Sequence, residues 1–249
     1  MTKEQALERP ELRALVEGLA DLLGTKLEAV VLYGSAARGD FREGTSDLNV
    51  AVVAAALDPS TLEALTKPVM EWVKARQTPP RLLTRAILAA SLDVFPVEIL
   101  DLRTHHVVLL GTSPFAGLSI RTEALRVQCE RELREKLMRL REGYVTAHAS
   151  RGGLRDLLVD SYTSFTALFR GCLHLLGAAV PADADAVAEA FCARAGLDPA
   201  PFLEVGRLRR GASGRGGDLK EVFSGYYDAL TRAADLVDAF APAQGGETR

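Results

Sequence analysis

The sequence predicts an α/β domain, α+β in its mixture of elements, followed by an all-α helical bundle. The texture changes along the chain. Up to about residue 118 short β-rich runs alternate with helical patterns, and after Ser119 helix follows helix between Gly and Pro punctuation. The 249 residues suffice for one large core or two modest ones. The divisions this predicts are 1–118, 119–241 and a frayed tail at 242–249.

In chain order, Glu11 to Leu23 aligns Leu12, Leu15, Val16, Leu19, Leu22 and Leu23 on one stripe and stops at Gly24, a helix signature. Ala29-Val30-Val31-Leu32-Tyr33 reads as a buried strand that ends at Gly34, and Asp47 to Val53 as a second strand. Pro59 to Lys74 reads as a helix, with Asp58 or Ser60 near its start. Phe95 to Leu102 is expected as a third strand from the period-two placing of Val97 and Ile99, and Val107 to Leu110 as a short fourth. Glu123 to Tyr144 carries a seam of Leu125, Cys129, Leu133, Leu137 and Leu140. Helices follow at Leu154–Leu176, Asp185–Ala195, Pro201–Arg209 and Leu219–Phe240, with the Gly-rich loop GASGRGGD before the last.

Composition narrows the functional classes. With 30 Lys and Arg against 33 Asp and Glu, the net charge is -3, which gives no global field for a polyanion and argues against nucleic acid as a partner. With 48% hydrophobic residues and that small net charge, the chain is not of the disordered class. No stretch reaches the roughly 18 to 20 apolar residues of a membrane span. The N-terminus reads as an amphipathic helix and not as a secretory leader. The three cysteines, Cys129, Cys172 and Cys192, are far apart and have no metal spacing, so a cytoplasmic location is expected.

The chemistry is concentrated in VVLYGSAARGDFREGTSDLNVAVV, residues 30–53. A buried strand delivers the chain to Gly34-Ser35, where glycine permits close backbone approach to a ligand. The Ser35 hydroxyl and the amides around it suit a phosphate. On the returning strand, Asp47 and Asn49 are two apart and share a face, where divalent-metal ligands would sit.

This Gly-Ser turn followed by Ser46-Asp47-x-Asn49 resembles the DNA polymerase β-like nucleotidyltransferase superfamily, in particular its minimal and aminoglycoside-type members. The resemblance is specific over residues 28–54 and looser to about 118; beyond that it is one of architecture, a helical bundle after the catalytic domain. It implies a mixed β-sheet and transfer of a nucleoside monophosphate, AMP by expectation, from a magnesium-bound nucleoside triphosphate such as ATP to an acceptor hydroxyl. One or two Mg2+ ions would be held by three carboxylates. Carried over, Gly34, Ser35, Arg38 and Ser46 would bind the nucleotide, and Asp47, Asn49 and Glu98 would form the metal set, with Asp47 and Glu98 catalytic.

Asn49 stands where a second carboxylate belongs. Its amide oxygen is a weaker magnesium ligand, so weakened activity is expected, and a catalytically inactive nucleotide-binding or scaffold protein of the same fold is the alternative. For the third carboxylate the run FPVEILDL offers Glu98 or Asp101, which on a strand would face opposite sides; Glu98 is favoured by its central place. Without a metal it could serve as a base, or simply face solvent at an edge. The acceptor, a small molecule or a protein, stays open, as does assembly into a homodimer.

Other signals carry plainer expectations. His105-His106 is read as a solvated loop pair, and Arg141 with His148 as a chance match to a ribonuclease pattern. Arg170 and His174 are expected as a polar contact on one helical face, and Arg155, Asp160 and Tyr162 as helix-surface residues that could line an acceptor pocket. The basic run 207–220 is read as a helix connector.

Overall fold

A computed structural model describes the chain except residues 40, 42, 44–45, 148–150, 212–217, 241–246 and 249. It divides into two compact units, Met1–Leu118 and Ser119–Arg249. The first begins with α1 (Lys3–Leu7), α2 (Pro10–Leu23) and a 3-10 turn at Gly24–Lys26. It continues through β1 (Leu27–Tyr33), α3 (Ser35–Arg38), β2 (Asn49–Ala54), α4 (Pro59–Lys74), β3 (Arg81–Leu83), α5 (Arg85–Ala90), α6 (Pro96–Thr104) and β4 (His106–Gly111). The four strands form a mixed sheet in the order β3-β2-β1-β4, with β1 antiparallel to β2 and β4, and β3 parallel to β2.

Alternation divides the sheet into two faces. Val30 and Leu32 of β1, Val50, Val52 and Ala54 of β2, and Leu109 of β4 join the α2 stripe and the α4 residues Leu65 and Trp72 in one core. The expected α2 stripe holds except at Leu22, which is exposed. On the opposite face Tyr33 pairs with Asn49 and with His106, and Ala51 pairs with Val31 and Arg81. Directly paired residues point to the same side of a sheet, so this face presents Tyr33, Asn49, Arg81 and His106 together.

One expected element is replaced. Of residues 95–102, read as a strand, 96–102 lie in the helix α6 and Phe95 is its N-cap. Pro96 occupies its first turn, where a missing N–H costs nothing and the fixed φ is already helical. Glu98 sits in the first turn and Arg103 in the last, matching the helix dipole, and Pro96, Ile99 and Leu100 are buried at helical spacing. The apparent alternation of Val97 and Ile99 is a coincidence within a helical pattern. Two short elements, β3 and α5, have no counterpart in the expectations; β3 is three residues long and follows Pro79-Pro80, too little for periodicity to register.

The second unit contains β5 (Ile120–Arg121), α7 (Thr122–Ala147), α8 (Arg151–Leu175), α9 (Ala184–Ala195), α10 (Ala200–Arg209), α11 (Leu219–Asp238) and β6 (Glu247–Thr248). The expected α7 seam is buried throughout. Phe169 stacks on Phe191 and meets Phe202 edge-on, and Phe202 and Phe165 both meet Tyr226 edge-on. The tail is not frayed at 247–248, where β6 pairs with β5; the rest of 242–249 lies outside the described residues, as do His148 and most of the Gly-rich loop. All three cysteines are buried and free. No described helix is long and apolar enough to cross a membrane.

The end of β4 is sterically strict. Gly111 has φ +78°, and a Cβ there would stand 2.0 Å from the Glu28 carbonyl oxygen. Gly111→Ala is expected to destabilise the first unit by about 3 kcal/mol through backbone strain and overpacking. Urea unfolding followed by the fluorescence of Trp72, the single tryptophan, measures this; an unchanged midpoint would contradict the geometry.

Candidate nucleotide site

The site is built around the join of β1, α3 and β2. Gly34 has φ 73° and ψ -149°, a conformation available almost only to glycine. A Cβ at this position would also stand 3.0 Å from Asn49 Nδ2. Glycine therefore meets two demands at once: it reverses the chain, and it lets the Asn49 side chain lie against the turn. Ser35 opens α3, whose first turn closes as the Ala37 and Arg38 amides donate to the Gly34 carbonyl. The turn leaves early amides of α3 without helical acceptors, the geometry that suits an anion.

Asp47 is exposed and precedes β2, which starts at Asn49 and not at Asp47. Its Oδ2 accepts a hydrogen bond from Thr78 Oγ1 at 3.1 Å. The Leu48 amide donates to Gln77 Oε1 at 2.9 Å, and Trp72 Nε1 donates to the Thr78 carbonyl at 2.7 Å. The Gln77–Thr78 segment thus fastens the entry of β2 to the buried indole of α4. Ser46, the residue before Asp47, is half-buried.

Arg38 does not stand open to a phosphate. Its Nη1 donates to both carboxylate oxygens of Asp101 at 3.1 Å, and His105 Nδ1 lies 4.0 Å from Asp101 Oδ1. The helical geometry of α6 puts Glu98 and Asp101 three residues apart on neighbouring positions of one side, not on opposite faces of a strand. Asp101 is engaged by Arg38, and Glu98 is half-buried in the first turn of α6. His106 belongs to β4 and is no solvated loop residue: its Nδ1 lies 3.1 Å from the Arg103 carbonyl and its Nε2 2.9 Å from Ser113 Oγ.

The donor set does not fit a two-magnesium centre. Such a centre needs closely spaced anionic oxygens, yet β3 (Arg-Leu-Leu) and β4 (His-Val-Val-Leu-Leu-Gly), the strands after β2, contain no Asp or Glu. Among the described residues no group of three or more His, Cys, Asp or Glu side chains could hold a metal ion. One carboxylate, Asp47, and one amide, Asn49, remain at the sheet edge. The expected third carboxylate on a strand is therefore corrected: neither candidate lies on one.

Sequence reasoning passed over four residues that shape this region: Tyr33, Gln77, Thr78 and Arg81. Arg81 Nε donates to Tyr33 Oη at 3.0 Å, with its guanidinium carbon 6.0 Å from the Tyr33 ring centroid. The only available signal was an arginine following Pro79-Pro80, which points to no particular partner. In the second unit, Tyr162 is buried and donates to Asp185 Oδ1 at 2.6 Å, and Arg155 Nη2 donates to the Leu208 carbonyl at 2.6 Å. Arg170 reaches the Pro181 and Ala182 carbonyls, and Arg210 pairs with Asp185. These are bonds that hold helices and loops together.

Residues 12–103 match the family model described as "Nucleotidyltransferase domain". Curated protein sequences give no match. Among solved structures, the crystal structure of spectinomycin adenyltransferase AAD(9) from Enterococcus faecialis with ATP and spectinomycin aligns at a TM-score of 0.56 and 11% identity, covering 96% of this chain and 100% of that one. At that identity the likeness is one of fold. A toxin-antitoxin crystal structure with AMP-PNP aligns over 42% of this chain and 76% of its own at 24% identity, with a TM-score of 0.31, too low to indicate a shared fold.

The double demand on Gly34 can be tested. Gly34→Ala is expected to destabilise the first unit by about 2 kcal/mol, and Gly34→Ala combined with Asn49→Ala to recover the contact part but not the backbone part. Trp72-detected unfolding of the single and double variants separates them; additive losses would mean that Asn49 does not press on position 34.

Proposed function

We propose, from the match of residues 12–103 to a nucleotidyltransferase domain model, that the chain binds a nucleoside triphosphate, ATP by expectation, at the Gly34–Ser35 turn and transfers its nucleoside monophosphate to an acceptor hydroxyl at a strongly reduced rate. The observation that carries the reduced rate is the donor set: Asp47 with the neutral Asn49, and no carboxylate on β3 or β4. In this reading Gly34 and Ser35 receive the phosphates and Ser46 lies beside them, while Arg38, held by Asp101, would have to leave that bond to join them. Residues 1–118 act as the nucleotide domain, and 119–241 form a separate helical domain. The ATP and spectinomycin held by the structural neighbour favour ATP as donor and a small-molecule acceptor over a protein one. Three free, buried cysteines suit a reducing, cytoplasmic setting.

Phosphoryl and nucleotidyl transfer place little covalent chemistry on the protein, so rate follows from positioning and from charge placed against the phosphates. A missing carboxylate lowers turnover without abolishing nucleotide binding. The same deficit favours a second reading, a nucleotide-binding regulatory protein without turnover.

Incubation with ATP labelled at the α-phosphate and magnesium, in the presence of a lysate small-molecule fraction, distinguishes the two, with thermal shift by ATP as the binding readout. Slow label transfer that Asp47→Ala abolishes supports the transferase. Asn49→Asp, which restores one carboxylate, is expected to raise the magnesium-dependent rate about tenfold or more. Binding without any transfer, in wild type and Asn49→Asp alike, selects the regulatory reading, and absence of binding removes both.

A further inference from the structure

We propose that Arg81 supplies the positive charge of this site, so that the domain binds its nucleoside triphosphate as the free polyanion, without a divalent cation. The inference rests on the nucleotide-binding reading above and concerns how the phosphates are neutralised.

Strand register places the cation. Ala51 pairs with Arg81 in the parallel β2–β3 ladder, and Asn49 precedes Ala51 by two residues on the same face. Leu82, the next residue of β3, packs on the core at the opposite face, which fixes Arg81 on the Asn49 side. The guanidinium is held by Tyr33 through the Nε bond and the ring, and Tyr33 is the residue immediately before Gly34. A cation is thus anchored to the last residue of the strand that delivers the phosphate turn.

Its charge is uncommitted. Arg38 is bound to Asp101 and Arg85 to Glu28, whereas Arg81 is exposed and makes no ion pair among the described residues. Its Nε is used by Tyr33, which leaves the two terminal nitrogens as the free edge of the fork, the geometry that grips phosphate oxygens bidentately.

The anionic side of the face is depleted in step. A divalent ion would be drawn here by carboxylates, and the strand positions that face it hold Asn49, Arg81 and His106. Clustered carboxylates would repel a polyphosphate that arrives without its metal, and a guanidinium would repel an incoming metal. The neutral amide and the added cation act in the same direction. Both raise affinity for the bare anion and lower it for the metal complex.

Isothermal titration of the full chain with ATP, once in EDTA and once in excess magnesium, tests this. ATP is expected to bind in EDTA at least as tightly as with magnesium. Arg81→Met, which keeps the apolar stem, is expected to weaken binding in EDTA about tenfold, equal to about 1.4 kcal/mol. Arg81→Lys should recover part of the loss and guards against a folding defect, since Arg81 is an exposed edge residue. Binding that requires magnesium overturns the proposal and leaves the nucleotide reading standing. Equal affinity of wild type and Arg81→Met in EDTA overturns the role of Arg81. No binding under either condition removes the nucleotide reading and this inference together.

Discussion

The pairing of Tyr33 with Asn49, with the Asn49 side chain lying against Gly34, is the constraint on which the rest of the first unit depends. It sets where β1 must stop, because the chain can reverse there only through a residue tolerating φ 73° and lacking a Cβ. It sets the register of β2, and through period two it decides which residues enter the core and which lie on the face with Tyr33. A slip of one residue would bring Asn49 into the core with Leu65 and Trp72 and turn Val50 and Val52 away from it. Burial of those valines therefore holds a polar side chain at the site without any polar bond having to do so.

The entry to β2 is held from the other side by hydrogen bonds reaching out of the core. The buried indole of Trp72 fixes the Thr78 carbonyl, Thr78 fixes Asp47, and Gln77 accepts from the Leu48 amide. The same stretch runs through Pro79-Pro80 into β3 and delivers Arg81 beside Ala51. One short connection therefore positions both the one strand-edge carboxylate and the added cation. Each bond contributes only about 1 kcal/mol. Together they order a loop that would otherwise lose much of its conformational entropy for no return.

Much of this was legible in the sequence where a signal spans many residues or involves glycine. The helix Pro59–Lys74, the α7 seam and the strands flanking Gly34 follow from periodicity and punctuation, and the observed elements agree within a few residues. The segment 95–102 misled because two β-branched residues two apart imitate a strand, while Pro96 in a first turn is weighed correctly only if a helix is already entertained. With the helix, the geometric ground for preferring Glu98 to Asp101 disappears. Arg81 was illegible for a different reason. Its meaning comes from a parallel pairing across thirty residues and a bond to Tyr33, and neither leaves a local pattern.

The charge pattern of the sheet face is best understood as one change and not several. A site with three carboxylates is stable only when cations fill it, since like charges held a few ångströms apart in a half-buried setting raise each other's energy. With an amide such as Asn49 in place of one carboxylate, such a site would retain metal less well, and its remaining carboxylates would oppose a bound phosphate. Arg81 alone, added to an intact carboxylate set, would form ion pairs with it and leave nothing for a ligand. Here β3 and β4 carry no carboxylate and Asp47 is engaged by Thr78, so the guanidinium remains available. The net charge of -3 gives no warning of this, because the face is shaped by four side chains whose formal charges sum to one.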